Sequence, residues 1–145
     1  VGQGGLLMMV KTNLFIYGSL KQGESNYCVM QDLDGKYLGP AHTKEKKWSV
    51  IDLGCYPGLV PGDFYVDGEL FEIENHILEE FDIFESVPVL YKRIEIPIIC
   101  EVLLSHERIA FTYQYNALFT LRKGDDSKVR MIDDVTQSWG RYGTQ

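Results

Sequence analysis

Residues 13–23, Asn-Leu-Phe-Ile-Tyr-Gly-Ser-Leu-Lys-Gln-Gly, constrain the fold more than any other stretch of this chain. Leu14 to Tyr17 form an unbroken apolar run of strand formers. The run is too short for a helix and reads as a buried strand. Gly18 and Ser19 end it abruptly. Glycine lets another group approach the main chain closely and reaches backbone angles that other residues avoid. A strand ending in Gly-Ser-Leu can gather successive backbone N–H groups into a concavity that holds an anion such as a carboxylate. An ordinary turn is the alternative.

The rest of the chain supplies partners for that strand. Asn26 is placed to cap a short helix through Tyr27, Val29, Met30 and Leu33, which Asp34-Gly35 ends. Tyr37 to Ile51 reads as extended, with a charged, solvated middle at Lys44 to Lys47. Two Pro-Gly pairs between Gly54 and Gly62 predict a rigid, irregular loop. Phe64 to Ile73 reads as a long strand, with a bulge or a close backbone approach at Gly68. Asn75 to Glu85 predicts the one convincing helix, capped by Asn75. There Ile77, Leu78, Phe81 and Phe84 make the apolar stripe, and Glu79, Glu80 and Asp82 the wet face. Val87-Pro88 stops it. Strands follow at Leu90 to Ile99, with Pro97 near a sheet edge, and at Arg108 to Asn116, where Phe111, Tyr113 and Tyr115 share one face. Lys123 to Lys128 reads as a charged loop, and Trp139 implies that the tail Thr136 to Tyr142 folds back onto the body. Sequential strands with one clear helix give an α+β class with a curled or closed sheet.

Composition narrows the function classes. The chain has 145 residues, which suits one domain. We expect residues 1–8 to be a leftover linker or a disordered N-terminus, and 9–145 to be that single domain. A net charge of −7 argues against a nucleic-acid footprint or an anionic membrane surface. Cys28, Cys55 and Cys100 are widely spaced and odd in number, so a disulfide framework is not expected and a reducing, cytoplasmic setting fits. No run approaches the ~18 apolar residues of a membrane helix.

Chemistry centres on Glu85. It lies four and seven residues after Phe81 and Leu78, on the apolar stripe. Desolvation there raises a carboxyl pKa, and the negative end of the helix dipole pushes the same way. Such a group accepts a proton near neutrality better than a surface glutamate does. The alternative is that Glu85 points to water or pairs with Arg93. His42, His76 and His106 show no metal-ligand spacing, and no histidine is nominated as a base for Ser19.

Several segments, in order, resemble the γ-glutamylcyclotransferase-like superfamily. Leu14-Phe15-Ile16-Tyr17-Gly18-Ser19-Leu20-Lys21 is similar to its YGSL/YGTL signature. Tyr56-Pro57-Gly58-Leu59-Val60 and Val66-Asp67-Gly68-Glu69-Leu70-Phe71 resemble its next two stretches. Phe81-Asp82-Ile83-Phe84-Glu85 with Leu90-Tyr91-Lys92-Arg93 resembles its "LDxFE…YxR" segment, and Trp139-Gly140-Arg141-Tyr142 its C-terminal end. Chain length and the YxR look most like the γ-glutamylamine cyclotransferase, AIG2-like branch. The resemblance implies a small, mixed, barrel-like sheet with flanking helices. It implies a γ-glutamyl substrate received by Tyr17, Gly18, Ser19 and Leu20, and a catalytic glutamate at Glu85. Tyr91 and Tyr115 are candidate wall residues. No metal or cofactor is called for, and the chain is expected to be a monomer or a weak dimer.

The implied reaction releases 5-oxoproline and a free amine from a γ-glutamyl amide. Two other readings stand beside it: a non-catalytic module that binds small γ-glutamyl ligands, and removal of a γ-glutamyl group in a biosynthetic pathway.

Overall fold

A computed structural model describes residues 10–116 and 128–140. The readings of residues 1–8, of the loop at 123–127 and of Arg141 and Tyr142 lie outside the described residues. The elements are β1 (Lys11–Ile16), α1 (Tyr27–Asp32), β2 (Lys36–Thr43), β3 (Trp48–Asp52), β4 (Pro57–Pro61), β5 (Tyr65–Glu74), α2 (Leu78–Phe84), β6 (Tyr91–Ile99), β7 (Glu107–Tyr115), β8 (Val129–Asp133) and β9 (Thr136–Trp139). A single 3-10 turn, Asn75–Ile77, leads into α2.

The strand pairings close on themselves. β1 pairs with both β5 and β7, β7 with β6, β6 with β2, and β2 with β5, which makes a ring of five strands. β4 and β3 branch from β7, and β9 and β8 branch from β5. β1 and β4 run parallel to β7, and β9 parallel to β5, so the sheet is mixed within an α+β fold.

The period of two along the strands divides the core. Phe15, Ala41, Leu70, Ile98 and Ala110 come one from each ring strand and belong to one buried cluster, which therefore fills the ring. Their neighbours Leu14, Ile16, Phe71 and Ile73 face the other way, onto Met30 of α1 and Leu78 and Phe81 of α2. α2 has only seven residues. A helix so short owes its stability to packing rather than propensity. Burying Phe81, fully enclosed here, contributes about 1.5–3 kcal/mol.

Gly68 is a close approach: a Cβ there would strike the Ile16 carbonyl and the Phe15 ring. The tail does fold back, with Trp139 only 2% exposed. Three expectations are corrected. The Pro-Gly stretch is not irregular, because Pro57–Pro61 pairs with all of β3. Its two prolines occupy the strand ends, where a missing N–H is tolerated. Neither Asn26 nor Asn75 caps a helix with its side chain. Asp82 is half-buried, not on the wet face.

Candidate active site

β7 carries two parallel neighbours on one edge. β1 meets it at Phe111, and β4 meets it further on at Gln114. β1 ends at Ile16 and β4 begins at Pro57, so the strands leave a fork between them. The sequence Tyr17-Gly18-Ser19-Leu20 fills that fork and lines a cleft of about 30 Å³. Pro57 presses against Gly18 so closely that a Cβ on Gly18 would overlap its ring, at 2.5 Å from Cγ. Glycine is needed here for this contact.

Tyrosines brace the fork. The Tyr17 hydroxyl donates to the Tyr113 carbonyl at 2.6 Å and accepts from the Leu59 amide at 3.0 Å, which ties β1, β7 and β4 together. The Tyr91 hydroxyl donates to the Pro57 carbonyl. Thr112 Oγ1 donates to the Phe15 carbonyl at 2.8 Å. Behind the loop, the Ser19 carbonyl accepts from the Asn26 amide, and Asn26 Nδ2 donates to Ser19 Oγ at 3.0 Å. Asn26 therefore fixes Ser19 instead of capping α1. The amides of Gly18, Ser19 and Leu20 donate no hydrogen bond to the described residues. Gly18, Ser19 and Leu20 are buried residues whose amides have no acceptor among the described residues, and successive N–H groups of this kind can take an anion.

Glu85 closes the cleft from α2, at the residue just past its last turn. Desolvation lifts its pKa to about 7. Its charge in turn raises the hydroxyl pKa values of Tyr17, Tyr91 and Tyr113, after the larger effect of their burial. These hydroxyls stay protonated and remain donors. Arg93 does not neutralise Glu85, because it donates to Asp82 Oδ2 at 2.9 Å. Asp82 Oδ1 accepts from the Tyr113 hydroxyl at 2.8 Å. Asp82 thus fastens α2 to β6 and β7 and holds the cation off the catalytic candidate.

The cleft brings together Tyr17, Gly18, Ser19, Leu20, Tyr91 and Glu85. Tyr115 stands behind them, buried, with its ring edge-on to Tyr91 at 5.5 Å and its Cβ against Gly58. Tyr56, Thr112 and Tyr113 also line the cleft, and the sequence reading did not single them out. Tyr113 had a signal, since it lies two residues before Tyr115 on the same strand face. Asp82 and Arg93 had one too, within the FDIFE and YKR segments. The described residues include no cluster of His, Cys, Asp and Glu able to hold a metal ion. Among them, no helix is long and apolar enough to cross a membrane.

A family model described as gamma-glutamyl cyclotransferase, AIG2-like, matches residues 14–139. The chain is 44% identical over 80 residues to a Vibrio cholerae protein named "Putative gamma-glutamylcyclotransferase", a match covering 55% of this chain and 67% of that one. It is 35% identical over 91 residues to gamma-glutamylaminecyclotransferase A of Danio rerio, covering 58% and 56% respectively. Among solved structures, that of an AIG2-like protein from Mus musculus matches with a TM-score of 0.66 at 27% identity, covering 72% of this chain and 76% of that one. The matches span roughly half to two thirds of the curated relatives' own length.

Proposed function

The chain belongs to the γ-glutamyl cyclotransferase, AIG2-like family, and from that premise we propose that it converts a γ-glutamyl amide into 5-oxoproline and a free amine, with Glu85 as general acid and base. The observation that carries the reading is the placement of Glu85. A carboxyl with a pKa of about 7 lines the same cleft as three backbone amides that have no acceptor among the described residues. A group poised near the working pH is suited to take a proton and to return it.

The substrate's α-ammonium gives a proton to the Glu85 carboxylate. The freed α-amine attacks the side-chain amide carbonyl, and a new C–N bond closes a five-membered ring. The oxyanion so formed collapses, the old amide C–N bond breaks, and the Glu85 carboxyl returns its proton to the departing nitrogen; the ring nitrogen sheds its second proton, which ends on the freed amine as its ammonium form. No atom is left over, and Glu85 ends as it began. Holding the γ-glutamyl chain folded in the fork makes the attack intramolecular, a gain that reaches ~7–11 kcal/mol in ideal cases. One well-placed acid–base group adds about 10²–10⁴ in rate. The amides of Gly18 to Leu20 receive a negatively charged oxygen of the substrate, and the protonated tyrosine hydroxyls keep the fork rigid around it.

The test is 5-oxoproline release, followed by mass spectrometry, from ε-(γ-glutamyl)-lysine, γ-glutamyl amino acids, simple γ-glutamyl alkylamides and glutathione. Glu85→Gln serves as control. We expect release by the wild-type protein and a loss of at least ~10²-fold in the variant. A folded protein that binds these compounds, shown by a thermal shift, but turns over none of them would instead be a binding module.

A further inference from the structure

The chain after β1 turns twice, with the Lys21 amide donating to the Gly18 carbonyl and the Glu24 amide to the Lys21 carbonyl. These turns bring Asn26 back against Ser19, where its own amide donates to the Ser19 carbonyl at 2.9 Å. Its side chain adds a second bond, from Nδ2 to Ser19 Oγ at 3.0 Å. Ser19 is 8% exposed and lines both the cleft and an adjoining hollow of about 110 Å³. Glu85 lines the same two spaces. A hydroxyl has one hydrogen to donate and two lone pairs. The Asn26 side chain occupies one of those lone pairs, so the hydrogen must point elsewhere. It has no acceptor among the described residues, and Glu85, whose pKa is raised by burial alone, does not take it. The other buried hydroxyls of the cleft are already committed. Tyr17, Tyr91 and Thr112 donate to main-chain carbonyls, and Tyr113 donates to Asp82.

We infer that Asn26 is a positioning residue for the reaction: by donating to Ser19 Oγ it turns the Ser19 hydroxyl hydrogen into the cleft, as a donor to the carbonyl oxygen that becomes negative when the ring closes. The inference rests on the cyclotransferase reading. In that reading Glu85 exchanges protons with both nitrogens bonded to the reacting carbon, so that carbon lies beside Glu85. Ser19 borders the same two spaces, and its hydrogen is the one left to meet the oxygen there. A hydroxyl rotates freely unless a partner fixes it. With one lone pair held, the hydrogen is aimed before charge develops, and nothing has to reorganise as the oxyanion forms. The residue type matters for the same reason. The amide nitrogen of an asparagine only donates, whereas an ionised aspartate in its place only accepts and would take the Ser19 hydrogen for itself.

The test is a double-mutant cycle on 5-oxoproline release, run with the fastest of the γ-glutamyl compounds named above and at a pH well above the pKa of Glu85. Removing one oxyanion donor costs ~10²–10³ in kcat. With the loop amides still in place, Ser19→Ala should lose at least ~10-fold in kcat. An interaction made only in the transition state leaves KM unchanged. Asn26→Asp, which draws the hydrogen away from the cleft, should lose about as much as Ser19→Ala. Asn26→Leu adds no charge and leaves the hydroxyl free to rotate, so it should lose several-fold and less than Asn26→Asp. In the Ser19→Ala background Asn26→Leu should cost nothing further, because its route to the reaction is gone. The bond from the Asn26 amide to the Ser19 carbonyl involves no side chain, so each variant keeps it. Wild-type kcat in Ser19→Ala or in either Asn26 variant, a loss carried by KM alone, or an Asn26→Leu loss undiminished in Ser19→Ala overturns the inference while leaving the cyclotransferase reading intact. No release from any of the compounds by the wild-type protein overturns both.

Discussion

Glu85 carries a cost in stability that is also its signature. Its pKa of about 7 in the folded chain exceeds the ordinary glutamate value near 4.5 because burial disfavours the charge. Between those two values the folded state holds a proton that the unfolded chain has released. Stability therefore falls as pH rises through this window and levels off above it. The full shift is worth ~3 kcal/mol at 1.36 kcal/mol per unit. Solvent reaches one side of this half-buried carboxyl, so ~1–3 kcal/mol is the reasonable size. Glu85→Gln has no charge to bury. We expect it to match the wild-type protein near pH 4 and to exceed it by that amount at pH 8, in urea titrations at the two pH values. An offset that does not change with pH would mean that the carboxyl is solvated. The same ionisation should appear in kcat/KM as a limb rising through about pH 7. Glu85 was legible in the sequence because one-sided helical spacing places a residue on a face. The spacing did not show that Asp82 would draw Arg93 away from it.

At the scale of elements, strands with alternating or unbroken apolar runs and the amphipathic α2 were readable from local pattern, since burial acts on a fixed period, although Phe84, placed on the apolar stripe, is exposed at the end of that short helix. β4 was not. Pro57-Gly58-Leu59-Val60-Pro61 has turn chemistry in its letters, and only the pairing of Pro57 to Pro61 with Asp52 to Trp48 makes it a strand. Tertiary pairing overrode local propensity there. The fork between β1 and β4, and hence the cleft, was hidden for the same reason. Asp82 was misplaced because a short helix buries residues at its flank when a neighbouring strand offers donors. Its role gives a prediction. Asp82→Ala leaves the Tyr113 hydroxyl and the Arg93 guanidinium without their acceptor. Charge-assisted hydrogen bonds of this kind are worth about 1.5–3 kcal/mol each, so a loss of ~2–4 kcal/mol in stability is expected. The freed cation should also draw down the pKa of Glu85, moving the activity limb to lower pH, whereas Asp82→Asn should keep the Tyr113 contact and lose less stability. An Asp82→Ala protein with an unmoved limb would show that Asp82 acts through packing alone.

At the scale of the whole molecule, the cleft loop and the last strand are one structure. Lys21, next after the cleft-lining Leu20, is buried, and its Nζ donates to the Trp139 carbonyl of β9. Trp139 is among the largest fully buried side chains, and its neighbour Gln137 accepts from Ser49 Oγ and from the Val50 amide of β3. The lysine also faces Asp67 and Glu69 of β5 and Glu24 of its own loop. Burial lowers the pKa of Lys21 and raises those of Asp67 and Glu69, while the attraction between the lysine and the carboxyls opposes the shift. Lys21→Met keeps the length of the side chain and removes the cation. Asp67 and Glu69 then lose one of the charges that favour their ionised form, and their pKa values rise further. A carboxyl whose pKa is higher in the folded state loses stability as pH rises through that value. The variant should therefore be less affected near pH 4, toward the acid range where protonation relieves those charges, than at high pH. At pH 8 it should lose more, ~1–3 kcal/mol, the usual cost of leaving a buried polar group without its partner. Urea midpoints at the two pH values measure the difference. An equal loss at both would assign Lys21 a role only through its bond to the Trp139 carbonyl. A loss confined to high pH would mean that the carboxyls of β5 help to set the position of the loop proposed to receive the substrate.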